Sequence, residues 1–294
     1  MTHRAGFVNI VGNPNVGKST LMNALVGEKL SIITSKMQTT RHRIKGIVNG
    51  DDFQIIYSDT PGILKPAYKL QEQMMNYVNS ALGDADVILY VTDIYETPDK
   101  NVDYIEKCKG ANVPIILVIN KIDNSNDTEI NEKFAFWEKT FPEAYIVPIS
   151  ALRKFNINPI FDKILNLLPE SPPFFEKNAL TDRNERFFVE EIIREKILLH
   201  YQKEIPYSAE IKVEEFKELA DIIHLRAIIY VERKTQKGII IGHKGLKLKR
   251  IGTEARADLE EFFSKKIYLQ LYVKIKEDWR KNEQSLRDFG YDFN

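Results

Sequence analysis

The stretch GNPNVGKST, Gly12 to Thr20, restricts this chain more than any other, because it sits between an apolar run, FVNIV, and the helical pattern of Ser19 to Val26. Two glycines five positions apart, followed by a lysine and a hydroxyl, let backbone N–H groups turn inward around a polyphosphate. They do so at a helix N-terminus, where the dipole also favours anions. Glycines near a helix start are common alone, but the full pattern arises by chance in roughly one chain per hundred of this length. Gly12, Asn13, Pro14, Asn15, Val16 and Gly17 are therefore read as the cradle. Lys18 is read as the bridge between β- and γ-phosphates, Ser19 as a Mg²⁺ ligand, and Thr20 as part of the same first turn.

Such a loop needs a strand before it and a helix after it, and the sequence goes on repeating that alternation. GFVNIV, KGIVN, FQIIYSD, DVILYVTD, PIILVINK and AYIVPIS read as strands, separated by helical segments such as Gln71 to Leu82. This predicts an α/β P-loop domain, a mostly parallel sheet with helices on both faces. Ligands of such sheets lie beyond the carboxyl ends of the strands, and each polar cluster below follows a strand. LPESPPFFEKN then carries three prolines after the apolar helix pattern Ile160 to Leu168, which reads as a semi-rigid extended connector. Residues 1–170 are expected to form the first domain, 171–180 the connector, and 181–294 a smaller α+β domain. The order in the latter is helix, strand, strand, short helix, GHKG loop, helix, strand.

Three further motifs specify the ligand. Asp59, Thr60, Pro61 and Gly62 end a strand, with Asp59 placed to hold a Mg²⁺ shell through water and the Gly62 N–H placed to meet a γ-phosphate. Asn120, Lys121 and Asp123, from NKID, end another. A carboxylate there takes two hydrogen bonds from the N1–H and N2–H₂ edge of guanine, which adenine cannot offer, so the expected nucleotide is GTP or GDP. Ser150, Ala151 and Leu152 follow the last strand and suit backbone N–H donation to guanine O6. Each tetrapeptide alone is weak; four in this order are strong.

Between the first two motifs lies SIITSKMQTTRHR, polar and mobile in character. A threonine here can give its hydroxyl to Mg²⁺ and its N–H to the γ-phosphate, both lost when that phosphate leaves. Thr40 is the choice, with Thr39 the second candidate. Ile63 stands where better-known hydrolases of this type carry a water-orienting Gln, so turnover should be slow without help. Asn15 has two readings, a turn-forming residue after proline, or an amide oxygen that holds a monovalent cation such as K⁺ in place of an arginine finger. Lys18, Thr40 and Asn15 are the candidate catalytic residues.

Composition bounds the alternatives. The longest apolar runs, VILYV and PIILVI, suit buried strands, and the N-terminus lacks a signal-peptide h-region, so a cytoplasmic protein is expected. The lone cysteine, Cys108, excludes an internal disulfide and a cysteine metal cluster and reads as a small buried hydrophobe. Acidic residues in GDADV and DIYETPDKNVD read as a solvated surface. The chain balances 42 basic against 42 acidic residues, yet Arg233 to Arg250, RKTQKGIIIGHKGLKLKR, holds no acidic one. That is a local positive patch. Within it, Ile241, Gly242, His243, Lys244 and Gly245 precede a basic amphipathic helix carrying Lys247, Lys249 and Arg250. A G-x-x-G loop lets a nucleic-acid backbone approach closely while an adjacent apolar groove takes unstacked bases. Single-stranded RNA is the expected partner, not DNA.

GNPNVGKSTLMNALVGEKLSIIT, QTTRHRI, DTPG, NKID, VPISAL, EEIIREKILLHYQKEIPYS, VERKTQKGIIIGHKGLKLKRIGTEAR and LYVKIKEDWR together resemble the Era family of bacterial GTPases over nearly the whole length. Thr235 and Leu248 are conservative departures. The resemblance implies a GTPase domain joined to a type II KH domain that binds near the 3′ end of 16S rRNA and assists maturation of the small ribosomal subunit. It also implies peripheral association with the inner membrane in some circumstances, and K⁺ dependence as in relatives with the equivalent asparagine. A monomer is expected. Two other classes compete: a signalling or membrane-associated switch whose C-terminal domain binds protein, and a nucleotide hydrolase without nucleic acid. The basic run around GHKG favours the RNA reading.

Overall fold

A computed structural model describes residues 2–96 and 102–292. In chain order the elements are β1 (Arg4–Gly12), α1 (Lys18–Val26), β2 (Ile44–Asn49), β3 (Phe53–Asp59), α2 (Lys69–Gly83), β4 (Val87–Asp93), α3 (Val102–Gly110), β5 (Ile115–Asn120), α4 (Asp127–Thr140), β6 (Tyr145–Pro148) and α5 (Asn158–Leu167). There follow α6 (Glu185–His200), α7 (Ile205–Ser208), β7 (Glu210–Glu218), β8 (Ile222–Val231), α8 (Lys234–Ile241), α9 (Leu246–Phe263), β9 (Lys266–Ile275) and α10 (Glu283–Asp288). The chain divides into two compact units, Met1–Pro66 with Met74–Asp182, and Ala67–Gln73 with Arg183–Asn294. Among the described residues, no helix is long and apolar enough to cross a membrane.

In the first unit a six-stranded sheet runs β2-β3-β1-β4-β5-β6, parallel throughout except that β2 is antiparallel to β3. Every residue of β4 is buried, as expected of a central parallel strand covered on both faces. Register matters most for function. Ile10 pairs with Asp59, Gly12 with Val91, and Asp93 with Asn120, so the strand ends that carry the motifs lie along one edge. Cys108 is buried in the cluster of Tyr90, Trp137 and Phe141, and burial pushes its thiol up to about 12. It behaves as a hydrophobe.

Two expectations need correction. The acidic residues of GDADV and DIYETPDKNVD are a solvated surface only in part: Asp84 and Asp103 are exposed, whereas Asp86 is half-buried and Asp93 and Glu96 are buried. Asp93 is buried and paired with Lys121 at 2.6 Å, and Glu96 is buried and accepts from the Thr92 hydroxyl at 2.6 Å. Asp86 accepts from the Phe7 N–H at 2.7 Å, and Asp84 from Arg43. Asp99 lies outside the described residues. These carboxylates cap strand ends and answer nearby cations, which composition alone does not reveal. Equally, SIITSKMQTTRHR lacks regular structure, yet Ser31 and residues 39–43 are buried. It is packed by specific polar contacts.

The proline-rich connector is also held. Gln54, buried within the sheet, accepts from the N–H groups of Phe174 and Phe175 and donates to the Phe175 carbonyl. Ile47 N–H bonds the Leu180 carbonyl, and the Thr181 hydroxyl bonds that of Lys45.

The second unit carries a three-stranded sheet in the order β7-β8-β9, β8 running antiparallel to β7 and parallel to β9. α6 and α9 cover one face, burying Val189, Ile193, Ile197, Ile251, Ala255 and Leu259 against Ala227 and Ile229. Trp279 is buried and donates its indole N–H to the Ser208 carbonyl. The register of β7 shifts between Val213 and Glu215, and the Val213 N–H beside that shift is taken by Glu190 Oε1 at 2.8 Å. Burial pushes the Glu190 carboxyl up to about 7, against the pull of that N–H and of Lys212. Its folded pKa exceeds its unfolded one, so the stability this group contributes is fully present below the unfolded value and is lost as pH rises through 7. Glu190→Gln keeps the acceptor and removes the charge. It should raise unfolding free energy by about 1–3 kcal/mol at pH 8 and by almost nothing near pH 4.5. Urea denaturation at the two pH values checks this, and an equal gain at both would contradict it.

Candidate functional site

The loop after β1 has the backbone geometry a polyphosphate cradle needs. Gly12 and Gly17 have φ of +147° and +98°, and a Cβ at either would lie 2.1 Å from the Val91 carbonyl oxygen or 2.2 Å from Asn120 Nδ2. Gly62 packs on Pro14, where a Cβ would come within 2.7 Å. Lys18 Nζ is buried and bonds the carbonyls of Gly12 and Asn13 at 2.9 and 2.8 Å. Burial pushes its ammonium down to about 8, opposed by the charges of Asp59 and Glu96. A cavity of about 430 Å³ opens here, lined by Lys18, Ser19, Thr40 and Gly62 and farther along by Asp123 and Leu152.

At one point of this cavity three segments meet. Asp59 Oδ2 accepts from Ser19 Oγ at 2.6 Å and from Thr40 Oγ1 at 3.3 Å, and the two hydroxyls are 3.0 Å apart. Asp59 Oδ1 is buried without a hydrogen-bond partner among the described residues. Burial raises the Asp59 carboxyl above its ordinary value, against the Ser19 hydrogen bond and the Lys18 charge. Two hydroxyls and a carboxylate with an orphaned oxygen are the hard oxygen donors Mg²⁺ takes. Thr39 does not join them, because its hydroxyl bonds the Lys36 carbonyl at 2.6 Å and lies 2.6 Å from that of Thr34. Thr60 is fully buried with its hydroxyl on the Ile10 carbonyl, so its side chain secures β1 to β3. Ile63 is buried with Val11, Met75 and Val78 and offers no polar group to a water.

Along the guanine side the motifs fasten one another. Asn120 Nδ2 donates to the Val16 carbonyl at 2.8 Å, while its Oδ1 accepts the Ala151 N–H at 2.9 Å. One side chain thus joins phosphate loop, NKID and SAL. Lys121, at φ 66°, reaches the Asn15 carbonyl and Asp93 Oδ2, both at 2.6 Å. Asp123 is exposed on the cavity wall. Of the N–H groups expected to meet O6, that of Ser150 bonds the Phe155 carbonyl and that of Ala151 bonds Asn120, whereas Leu152 is 72% exposed beside the cavity. Asn15 takes φ 66° and donates its amide to the Ser35 carbonyl at 3.1 Å, tying the loop to the Thr40 segment.

In the second unit α8 ends at Gly242, whose φ of 70° and ψ of −177° suit glycine, and a 3₁₀ turn of His243–Gly245 leads into α9. His243, Lys244, Lys247, Lys249 and Arg250 are exposed. Ile241 packs partly buried against the core. A Cβ on Gly245 would meet nothing within 4 Å, so that position is open to an approaching chain. Beside it runs a groove lined by Leu248, Lys249, Gly252, Arg256, Leu269 and Leu271. Arg250 is already held by Glu254 at 2.9 Å, and Glu254 also lies 2.5 Å from His200.

A family model described as a 50S ribosome-binding GTPase matches residues 7–121, and one described as a KH domain matches residues 204–280. The chain is 45% identical to the GTPase Era of Alkaliphilus oremlandii, over 99% of this chain and 100% of that one. It is 42% identical to the GTPase Era of Alkaliphilus metalliredigens over the same shares. The crystal structure of Era with MgGDPNP and nucleotides 1506–1542 of 16S ribosomal RNA matches with TM-score 0.94 at 40% identity, over 99% of this chain and 100% of that one. A variant of Aquifex aeolicus Era bound to GDP.AlF4⁻ matches equally well. The chain belongs to the GTPase Era family.

As an Era GTPase it combines an α/β P-loop domain with a KH domain. Sequence reasoning missed three parts of these Era sites. Asp93 as a partner of Lys121 and Ser35 as a partner of Asn15 depend on how loops fold back, which no local pattern reports. Gly252 and Arg256 were accessible, since with Lys249 they recur at helical spacing on one face of α9. Asn120→Ala removes both of its hydrogen bonds at once and leaves the Val16 and Ala151 groups unpaired. Affinity for GTP and GDP should fall alike by about 30- to 300-fold, or roughly 2–3 kcal/mol. Calorimetric titration checks this, and a loss confined to one nucleotide would contradict a shared structural link.

Proposed function

We propose that the chain is a GTP-hydrolysing switch that binds 16S rRNA near its 3′ end and assists assembly of the small ribosomal subunit. Residues 1–170 hold nucleotide, 171–180 connect, and 181–294 hold RNA. The observation that carries this reading is the pairing of a metal-competent phosphate site with a basic G-x-x-G groove in one chain. Support comes from the likeness to an Era structure containing both MgGDPNP and 16S rRNA.

Ser19 and Thr40 would ligate Mg²⁺ directly and Asp59 through water; the ion would neutralise phosphate charge. Lys18 is held by backbone carbonyls until β- and γ-oxygens replace them. The loop N–H groups orient the phosphates, and Asp123 reads guanine. With Ile63 packed in an apolar cluster, that position supplies no polar side chain to align water, so unassisted turnover should be about 10⁻⁴ to 10⁻² s⁻¹. K⁺ held through the Asn15 amide oxygen would speed it, and K⁺ against Na⁺ at equal ionic strength tests that role. Equal rates would leave Asn15 as the turn residue its φ of 66° requires.

Asp123→Asn should weaken GTP by several kcal/mol, because one of the two acceptors facing the guanine N1–H and N2–H₂ edge becomes a donor, and should improve xanthosine triphosphate. Unchanged GTP affinity would sink the assignment. On the RNA side, Gly242→Asp with Gly245→Asp places charge and bulk where phosphates must approach. It should abolish binding of a short 16S 3′-end fragment while GTP hydrolysis and circular dichroism stay unchanged. Lys244, Lys247 and Lys249 to Ala singly should each lower the salt slope of binding by about 0.7. A protein-binding switch, the competing reading, predicts no dependence on RNA sequence and no effect of the paired Asp changes.

A further inference from the structure

Arg43 closes the segment that carries Thr40 and takes no part in the sites above. It is buried, yet its guanidinium grips three elements. Nε and one terminal nitrogen donate to Ser58 Oγ at 3.2 and 3.0 Å, on β3. That nitrogen also reaches Asn9 Oδ1 on β1 at 3.1 Å. Both terminal nitrogens bind Asp84, just past the end of α2, at 2.7 and 2.9 Å. Asn9 completes the ring by donating to Asp84 Oδ1 at 2.8 Å and to the Ala81 carbonyl at 2.5 Å. Ser58 adjoins Asp59, and Ile44, the residue after Arg43, pairs with Asp59 across β2 and β3.

We propose that Arg43 is a positioning residue for GTP hydrolysis: through Asp84, Ser58 and Asn9 it fixes the root of the Thr40 segment beside Asp59. Three chain steps separate anchor and ligand, so a step of about 3.5 Å limits Thr40 to within roughly 10 Å of the anchor. Every partner in the network belongs to the protein, so the anchor persists whichever nucleotide is bound. Thr40, the segment's metal ligand, then depends on the γ-phosphate for its final placement. An ion pair that merely stabilised the sheet, with Arg43 buried and Asp84 half-exposed, would have no such link to the metal and would affect GTP and GDP equally.

The inference rests on Thr40 as a Mg²⁺ ligand, so Thr40→Ala is measured beside it. Asp84→Asn removes the charge that holds Arg43 while preserving volume. In the nucleotide-free chain, amide exchange of residues 40–44 should quicken about tenfold with residues 53–58 unchanged. The Mg²⁺ concentration for half-maximal binding of a non-hydrolysable GTP analogue should rise, and kcat should fall, each about tenfold, with GDP affinity within about twofold. Arg43→Lys, which keeps a cation for Asp84, should recover part of each effect. Equal losses for GTP analogue and GDP, or unchanged exchange together with unchanged kcat, would overturn the anchor. If Thr40→Ala leaves the Mg²⁺ titration unmoved, the metal assignment fails instead, and amide exchange alone then decides the anchor.

Discussion

The hydrogen bonds from Ser19 and Thr40 to one oxygen of Asp59 are where the nucleotide domain is drawn together. Ser19 opens α1, Thr40 belongs to an irregular segment, and Asp59 ends β3, so three parts of the chain with no local reason to meet share one point. The sheet makes that meeting possible. Parallel pairing of Ile10 with Asp59 and antiparallel pairing of Ile44 with Asp59 bring loop, strand end and segment root to one edge. A buried carboxylate with one oxygen unpaired is costly by itself. Its retention beside two hydroxyls makes chemical sense as a place for a divalent cation.

Asn120 plays the matching part on the base side, since its amide nitrogen and oxygen are both engaged within the protein, on the Val16 carbonyl and the Ala151 N–H. The phosphate loop and the NKID and SAL segments are thereby joined through one side chain. In the proposed reading, guanine specificity would fall to Asp123, which stands on the cavity wall. In the KH domain the division is similar. In the proposed reading, the left-handed backbone at Gly242 and the open position at Gly245 would admit a phosphodiester chain beside the groove lined by Leu248, Leu269 and Leu271.

Much of this was legible in the sequence, for physical reasons that can be named. The phosphate loop, DTPG and NKID are contiguous because their chemistry acts through backbone turns and strand ends, so adjacency in sequence is adjacency in space. Strands such as VILYVTD declared themselves through continuous hydrophobicity, as buried parallel strands do. What stayed hidden is long-range polar pairing. Asp93 and Glu96 looked like surface charge because a carboxylate's partner is set by how loops fold back, and Lys121 and Thr92 lie on strands and loops that pattern reading treats separately. The Thr40 segment looked mobile because polar composition does not distinguish a solvated loop from one whose polar groups are satisfied internally. The two threonines proposed as alternatives differ in their contacts: the Thr40 hydroxyl reaches Asp59, whereas that of Thr39 bonds the Lys36 carbonyl.

In the proposed mechanism Thr40 enters the metal shell only when a γ-phosphate is present. Counting water on a Mn²⁺ ion substituted for Mg²⁺, by electron paramagnetic resonance in ¹⁷O-labelled water, tests it directly. In a six-coordinate shell the γ-oxygen and the Thr40 hydroxyl each displace one water. The complex with a non-hydrolysable GTP analogue should therefore hold two fewer waters than the GDP complex, and only one fewer in Thr40→Ala. A difference of one water in the native chain, unchanged by Thr40→Ala, would mean that Thr40 never reaches the ion.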